Sequence, residues 1–151
     1  MTALLVFAPA AVAAFLAAYL VGSIPSAYII VRIVSGEDVT THGSGNVGAM
    51  NVRRTTGSWG WFAVAMVADV LKGVAPVAVT KLLALGTLTT PVGVWIAAAG
   101  GDGLTGGLIV MAAVAGAVLG HNYSVWMALL KRHFGRTGKG LATGAGTLLA
   151  Y

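Results

Sequence analysis

A chain of 151 residues that is 58% hydrophobic and only 9% charged has too little polar surface for an ordinary water-facing exterior. Its mean hydropathy of +0.89 points to an integral membrane protein, an all-α polytopic helical bundle forming a single transmembrane domain. The net charge of +5 does not imply nucleic acid as a partner, because the basic residues lie at the ends of apolar runs, where loops on the cytoplasmic side of a membrane keep them. With no cysteine, neither a disulfide framework nor a thiolate metal site is available, and no metal or other cofactor is expected. A secretory signal peptide is not expected either, since nothing before Phe7 supplies a basic segment and the apolar run is too long.

In chain order, the first apolar run covers Ala3 to Val34, enough for one tilted helix that Pro25 bends. A second runs from Trp59 to about Val79 and a third from Gly107 to Leu130, the latter roughly 36 Å long as a helix. Between them, Leu82 to Gly100 is apolar but broken by Thr87, Thr89, Thr90, Pro91 and Gly93. Arg32, Arg53 and Arg54 flank the first polar loop, and Lys131, Arg132, Arg136 and Lys139 crowd the last. Positive residues favour the cytoplasm, so two crossings separate the clusters. Leu82 to Gly106 is then an excursion on the far side that carries Asp102, and the amino terminus lies outside. The closing apolar segment, Leu141 to Tyr151, has eleven residues where about twenty are needed to cross, so the chain is expected to be a truncated form of a longer protein, the alternative being a short terminal segment packed between the other helices.

Three polar stretches interrupt this pattern. In "THGSGNVGAMN", Gly43, Gly45 and Gly48 allow successive N–H groups to face one concave side, a nest suited to phosphate. Ser44, Asn46 and Asn51 add side-chain donors, and Arg53 and Arg54 can each grip two phosphate oxygens. A flexible polar turn with arginines reaching lipid head groups has the same composition. In "ADVLKG", Asp69 and Lys72 share one helical face about a dozen residues inside the second span. Each would cost roughly 2.5 to 3.5 kcal/mol at mid-bilayer, so they should pair, face the bundle interior or line a wet cavity. A purely structural ion pair is the plainer alternative. In the third, "GHNYSVWMALLKRHFGRTGKGLATG", Gly135, Gly138 and Gly140 bracket Arg136, Thr137 and Lys139 where a helix opens, a second phosphate cradle. It is not a nucleotide-binding loop, because His133 and Gly140 stand where that pattern needs its first glycine and its Ser or Thr. His121 has a packing role or a catalytic one.

Taken together and in order, "GSIPSAYII", "HGSGNVGAMNVRR", "DVLKG", "GHNYSVW" and "GRTGKGLATG" resemble the bacterial acyl-phosphate:glycerol-3-phosphate acyltransferases, the PlsY family. The resemblance runs from about Leu20 to Ala150 and implies a multi-pass enzyme of the bacterial inner membrane, making lysophosphatidic acid from an acyl phosphate and sn-glycerol 3-phosphate. By that resemblance Ser44, Asn46, Asn51 and Arg54 match the first family motif, Lys72 the helix motif, His121 the Gly-His pair and Lys139 the second lysine of the basic loop. Arg136 replaces that loop's first lysine, Thr137 a glycine, and Ser124 a proline after Gly-His. The family's third motif, a His-Arg-x-Asn-Ile segment, is absent from this sequence.

An acyl phosphate is already activated, so the expected work is to hold a glycerol hydroxyl against its carbonyl and stabilise developing charge. The expected catalytic residues are Ser44, His121 and Lys139. Gly43, Gly45, Asn46, Asn51, Arg54, Lys72, Arg136, Gly138 and Gly140 are expected to bind the phosphates. His121 or a substrate phosphate oxygen would accept the proton. A transporter or lipid-handling protein using the same cradles for passage remains open, as does a structural membrane subunit.

Overall fold

A computed structural model describes residues 2–87, 91–99, 103–132 and 134–151. They form helices α1 (Thr2–Gly22), α2 (Ser26–Ser35), α3 (Ala49–Thr56), α4 (Trp59–Ala84), α5 (Pro91–Ala99), α6 (Gly103–Asn122), α7 (Val125–Lys131) and α8 (Leu141–Ala150), with a 3₁₀ turn at Val39–Thr41. Three helical stretches are long and apolar enough to cross a membrane: Phe7–Ser35, Trp59–Ala84 and Gly103–Lys131. Leu16, Val64, Val67, Leu71, Leu108 and Met111 are exposed along them, as expected of a lipid-facing surface.

The first stretch is two helices rather than one bent helix. Pro25 has no N–H and disfavours helical angles at Ile24, so the hydrogen-bond ladder stops at Gly22 and resumes at Ser26. The carbonyls this break frees are taken up by side chains from elsewhere. Trp126 Nε1 donates to the Leu20 carbonyl at 3.0 Å, Ser124 Oγ to that of Ser23 at 2.5 Å and Lys72 Nζ to that of Ile24 at 2.8 Å. The break is thereby a joint between α1, α4 and the α6–α7 corner.

Between Leu82 and Gly106 the structure shows the end of α4, the short α5 and the start of α6. Residues 88–90 and 100–102 of that expected excursion, Asp102 among them, lie outside the described residues.

Packing depends on glycine at two seams. A Cβ on Gly22, Gly116 or Gly120 would overlap the carbonyls of Ala117, Phe15 and Tyr19, which fixes α1 against α6 at backbone contact. Gly73 and Gly146 do the same for α4 and α8, meeting the carbonyls of Thr143 and Val70. Lipid tails are as apolar as leucine, so helices in a bilayer associate through such close approach. The core between α1, α4 and α6 is correspondingly small-residue: Ala10, Ala14, Ala18, Ala113 and Ala117 with Val77 and Ile109. A second buried cluster, Ala27, Val31, Val39, Val47, Val52, Ala65 and Met127, lies under the polar loops.

Candidate active site at one end of the bundle

The 41–51 stretch is folded around one side chain. Asn51, buried in the first turn of α3, donates from Nδ2 to the carbonyls of Val39 (2.8 Å), His42 (3.0 Å) and Asn46 (3.0 Å). Its Oδ1 accepts from the Ser44 N–H at 3.1 Å. Gly43 has φ +54°, and a Cβ there would overlap the Asn51 carboxamide, so glycine is needed for the loop to close on it. Neighbouring amides are also engaged: the Gly45 N–H donates to the His42 carbonyl at 2.9 Å and the Val47 N–H to the Thr137 carbonyl at 2.8 Å. The N–H nest expected from the glycines is therefore turned inward at Ser44, Gly45 and Val47, where it shapes the loop.

The Val47–Thr137 bond joins the two glycine-rich loops. Thr137 in turn is anchored to the end of α6, its N–H donating to the Asn122 carbonyl at 2.7 Å and its hydroxyl to the His121 carbonyl at 2.9 Å. Both loops thus lie at one end of the bundle, around a cavity of about 420 Å³.

Two helix beginnings open onto that cavity. α3 starts after Gly48 and α8 after Gly140, and neither has a side-chain cap. Gly48, Ala49 and Met50 line one wall and Gly140, Leu141 and Ala142 another. First-turn N–H groups have no partner within their own helix, and each helix start carries about half a positive charge, so the two ends attract an anion placed between them. Ser44, Asn46, Arg54 and Lys139 share the cavity lining. Arg54 and Lys139 are exposed, with no ion-pair or hydrogen-bond partner among the described residues. Phe62, Met66, Met50 and Leu141 give the same cavity an apolar side.

Its floor is ionic. Asp69 lines the cavity and its Oδ1 lies 2.9 Å from Lys72 Nζ, with only 2% and 6% of the two side chains exposed. A charge pair buried this deeply persists only where further hydrogen bonds complete it, and the Ile24 carbonyl supplies one to Lys72. His121, from the last turn of α6, also lines the cavity, and its Nδ1 is 3.1 Å from Thr143 Oγ1 and 3.8 Å from Asp69 Oδ1.

Of the residues expected to act on substrate, Ser44, Asn46, Asn51, Arg54, His121, Lys139 and Gly140 meet at this cavity. Not all of the expected groups are free to act on substrate, and Gly43, Gly45, Lys72, Arg136 and Gly138 lie outside that lining. The Asn51 amide is committed to the loop backbone, and the Lys72 ammonium to Asp69 and Ile24, away from the cavity lining. Arg136 faces a separate hollow of about 300 Å³ with Thr40, Gly45 and Lys131, its Nε donating to the Gly138 carbonyl at 3.2 Å. Gly43 packs behind the Asn51 amide, and Gly138 is pressed against the His121 ring, where a Cβ would overlap Nε2. The site contributions of Thr143 and the α3 start were not expected from the sequence, whereas Asp69 was expected to pair with Lys72, face the bundle interior or line a wet cavity. Asp69 carried its signal as half of an intramembrane charge pair; nothing distinguishes Thr143 from any threonine in an apolar run.

The family profile for glycerol-3-phosphate acyltransferase matches residues 12–151. The chain belongs to this family. It is 39% identical over 141 residues to the glycerol-3-phosphate acyltransferase of Nitrobacter winogradskyi, covering 93% of this chain and 58% of that protein. The Thermus thermophilus protein of the same name is 41% identical over 140 residues, with coverages of 93% and 56%. The crystal structure of PlsY, an integral membrane glycerol 3-phosphate acyltransferase, in its glycerol 3-phosphate form superposes with a TM-score of 0.65 at 31% identity, covering 93% of this chain and 56% of that one. A second form of PlsY, with lysophosphatidic acid, gives a TM-score of 0.58. The chain therefore spans little more than half the length of these relatives.

Proposed function

We propose that this chain carries the phosphate-binding site of a membrane acyltransferase that moves an acyl group from an acyl phosphate to sn-glycerol 3-phosphate, releasing lysophosphatidic acid and inorganic phosphate. The observation that carries the reading is the convergence of two uncapped helix starts with Arg54 and Lys139, neither paired with an acid among the described residues, on one cavity. Such a cavity suits a substrate pair in which both members bear phosphate. Its apolar side suits an acyl chain. The structures of PlsY with glycerol 3-phosphate and with lysophosphatidic acid support the same assignment.

In this reading Ser44, Asn46 and the α3 start hold one phosphate, while Arg54, Lys139 and the α8 start neutralise the other and the oxyanion at the acyl carbonyl. Phosphate is a good leaving group from the mixed anhydride, so positioning and charge stabilisation supply most of the catalysis. No covalent enzyme intermediate is needed. The cavity faces the cytoplasm of a bacterial plasma membrane, with the amino terminus outside, as the clustering of arginine and lysine at this end of the bundle favours.

The test uses the purified protein in sealed vesicles. Release of inorganic phosphate from palmitoyl phosphate only when glycerol 3-phosphate is present, with lysophosphatidic acid as the second product, is the expected result. Passage of glycerol 3-phosphate across the vesicle wall without chemical change would instead establish a transporter.

A further inference from the structure

Arg53 is a cation that the cavity lining does not include. It lies in the last turn of α3, and successive side chains on a helix point about 100° apart, so with Arg54 turned to the cavity Arg53 faces elsewhere. The chain then reverses. Gly57 takes φ +70° and donates its N–H to the Arg53 carbonyl at 2.8 Å, and Ser58 caps α4 by accepting from the Trp61 N–H at 3.3 Å. This tight corner lays the Arg53 guanidinium on the Trp59 ring, its carbon 3.6 Å from the ring centre. Trp59 in turn meets Phe62 edge to face, ring centres 5.4 Å apart, and Phe62 lines the cavity. Arg53, Trp59 and Phe62 thus form a continuous path from the molecular surface to the cavity's apolar side, where Met50 and Met66 are exposed.

A guanidinium stacked on an aromatic face is held in one orientation, yet its N–H rim stays free to grip two phosphate oxygens at once. Among the described residues Arg53 has no acid or hydrogen-bond partner for that rim. Trp59 is 58% exposed and begins the stretch Trp59–Ala84, which is long and apolar enough to cross a membrane. Tryptophans at span ends sit at headgroup level, so the stacked cation lies in the layer that lipid phosphates occupy. We infer that Arg53, held by Trp59, is a landing site in the membrane surface for the phosphate of the lipid donor, which then passes to Arg54 while its chain slides over Phe62 and Met66. The passage to the cavity rests on the acyl-transfer reading; the landing of a single-chain lipid phosphate does not. The terminal phosphate of such a lipid carries up to two negative charges, against one on the diester of a bilayer phospholipid, and so competes well for the arginine.

Photo-crosslinking reads the landing directly. The probe is hexadecyl phosphonate, which has no acyl group to transfer, with a diazirine close to its headgroup, and the protein is held in nanodiscs of zwitterionic lipid. Label is expected on residues 59–66 and drops about 5-fold in Arg53→Gln and in Trp59→Leu, the effect of one cation near a membrane surface. Arg53→Lys, which keeps the charge without the flat fork, gives a smaller drop. Millimolar methylphosphonate, the same headgroup without a chain, leaves the label in place. In the transfer assay KM for palmitoyl phosphate rises about 5-fold in Arg53→Gln and in Trp59→Leu, with kcat and KM for glycerol 3-phosphate unchanged. Combining the two substitutions adds nothing, because the stacked residues act as one unit. Labelling of residues 59–66 unmoved by either substitution, displacement by methylphosphonate, or a loss that falls on kcat or on glycerol 3-phosphate overturns the inference. Arg53-dependent labelling in a protein that releases no phosphate leaves the landing site intact and removes the acyl-transfer reading instead.

Discussion

The loop of residues 39–48 separates two basic hollows that differ in how their charge is used. On one side Arg54 and Lys139 face the 420 Å³ cavity with no acidic partner among the described residues. On the other, Lys131 is paired with Asp38, and the Nε of Arg136 is spent on the Gly138 carbonyl. Asp38 also accepts from Thr40, at 2.6 Å from the hydroxyl and 3.0 Å from the N–H. Partial burial works against its ionisation, but Lys131 and Thr40 prevail and hold the carboxyl at about 2, below its usual 3.8. Basic composition alone therefore does not mark an anion site. What marks it is charge left unneutralised beside helix starts whose N–H groups no side chain has capped.

The largest expected effect tests that contrast head on. Lys139→Ala should lower turnover on the order of 10²-fold, as removal of a single oxyanion-stabilising group does, while Arg136→Ala in the other hollow leaves it near the starting rate. Equal losses in both, measured as glycerol 3-phosphate-dependent phosphate release, would mean that the two hollows do not differ in function.

The wall between the hollows comes next. Asn51→Ala strips the carbonyls of Val39, His42 and Asn46 of their donor and should cost about 3 kcal/mol. Thermal unfolding in detergent reads this loss, and an unchanged midpoint would show that water replaces the carboxamide. A smaller effect is expected where α8 meets α4. Gly146→Ala pushes a Cβ into the Val70 carbonyl and should destabilise by about 1 to 2 kcal/mol, tilting the helix whose start forms one cavity wall. An unfolding midpoint equal to that of the parent would count against backbone contact at this seam.

The smallest effect concerns Asp38. Because its folded pKa lies below the unfolded value of 3.8, its contribution is complete above about pH 4 and disappears as the pH falls through about 2. Asp38→Asn should remove this acid-dependent part of the stability curve, changing stability at neutral pH by about 1 kcal/mol or less and turnover hardly at all. Loss of turnover comparable to that of Lys139→Ala would bring the second hollow back into the chemistry.

Much of this arrangement could be read from residue order. The three apolar stretches, a bend at Pro25 that the structure turns into a full break, the basic loop opening α8 and the ordered family motifs are all local patterns. The charges of Asp69 and Lys72, three residues apart within a span, already called for a pair, an interior position or a wet cavity. Less could be read of what each polar group is bound to. The carboxamide of Asn51 and the ammonium of Lys72 have the same chemistry as groups that grip phosphate, and only the positions of Val39, His42 and Ile24 commit them to the backbone. Thr143 gave no sign of its partner because His121 lies twenty-two residues away on another helix.

The sequence by itself determined that this chain is a helical membrane protein with glycine-rich basic loops, since hydropathy, proline and charge act over a few neighbouring residues. Only the tertiary structure decided which of the cations are left free and which helix starts face one another. Those outcomes depend on distances between segments far apart in the chain, and in a dry interior a partner gained or lost within 3 Å changes a group from ligand to scaffold.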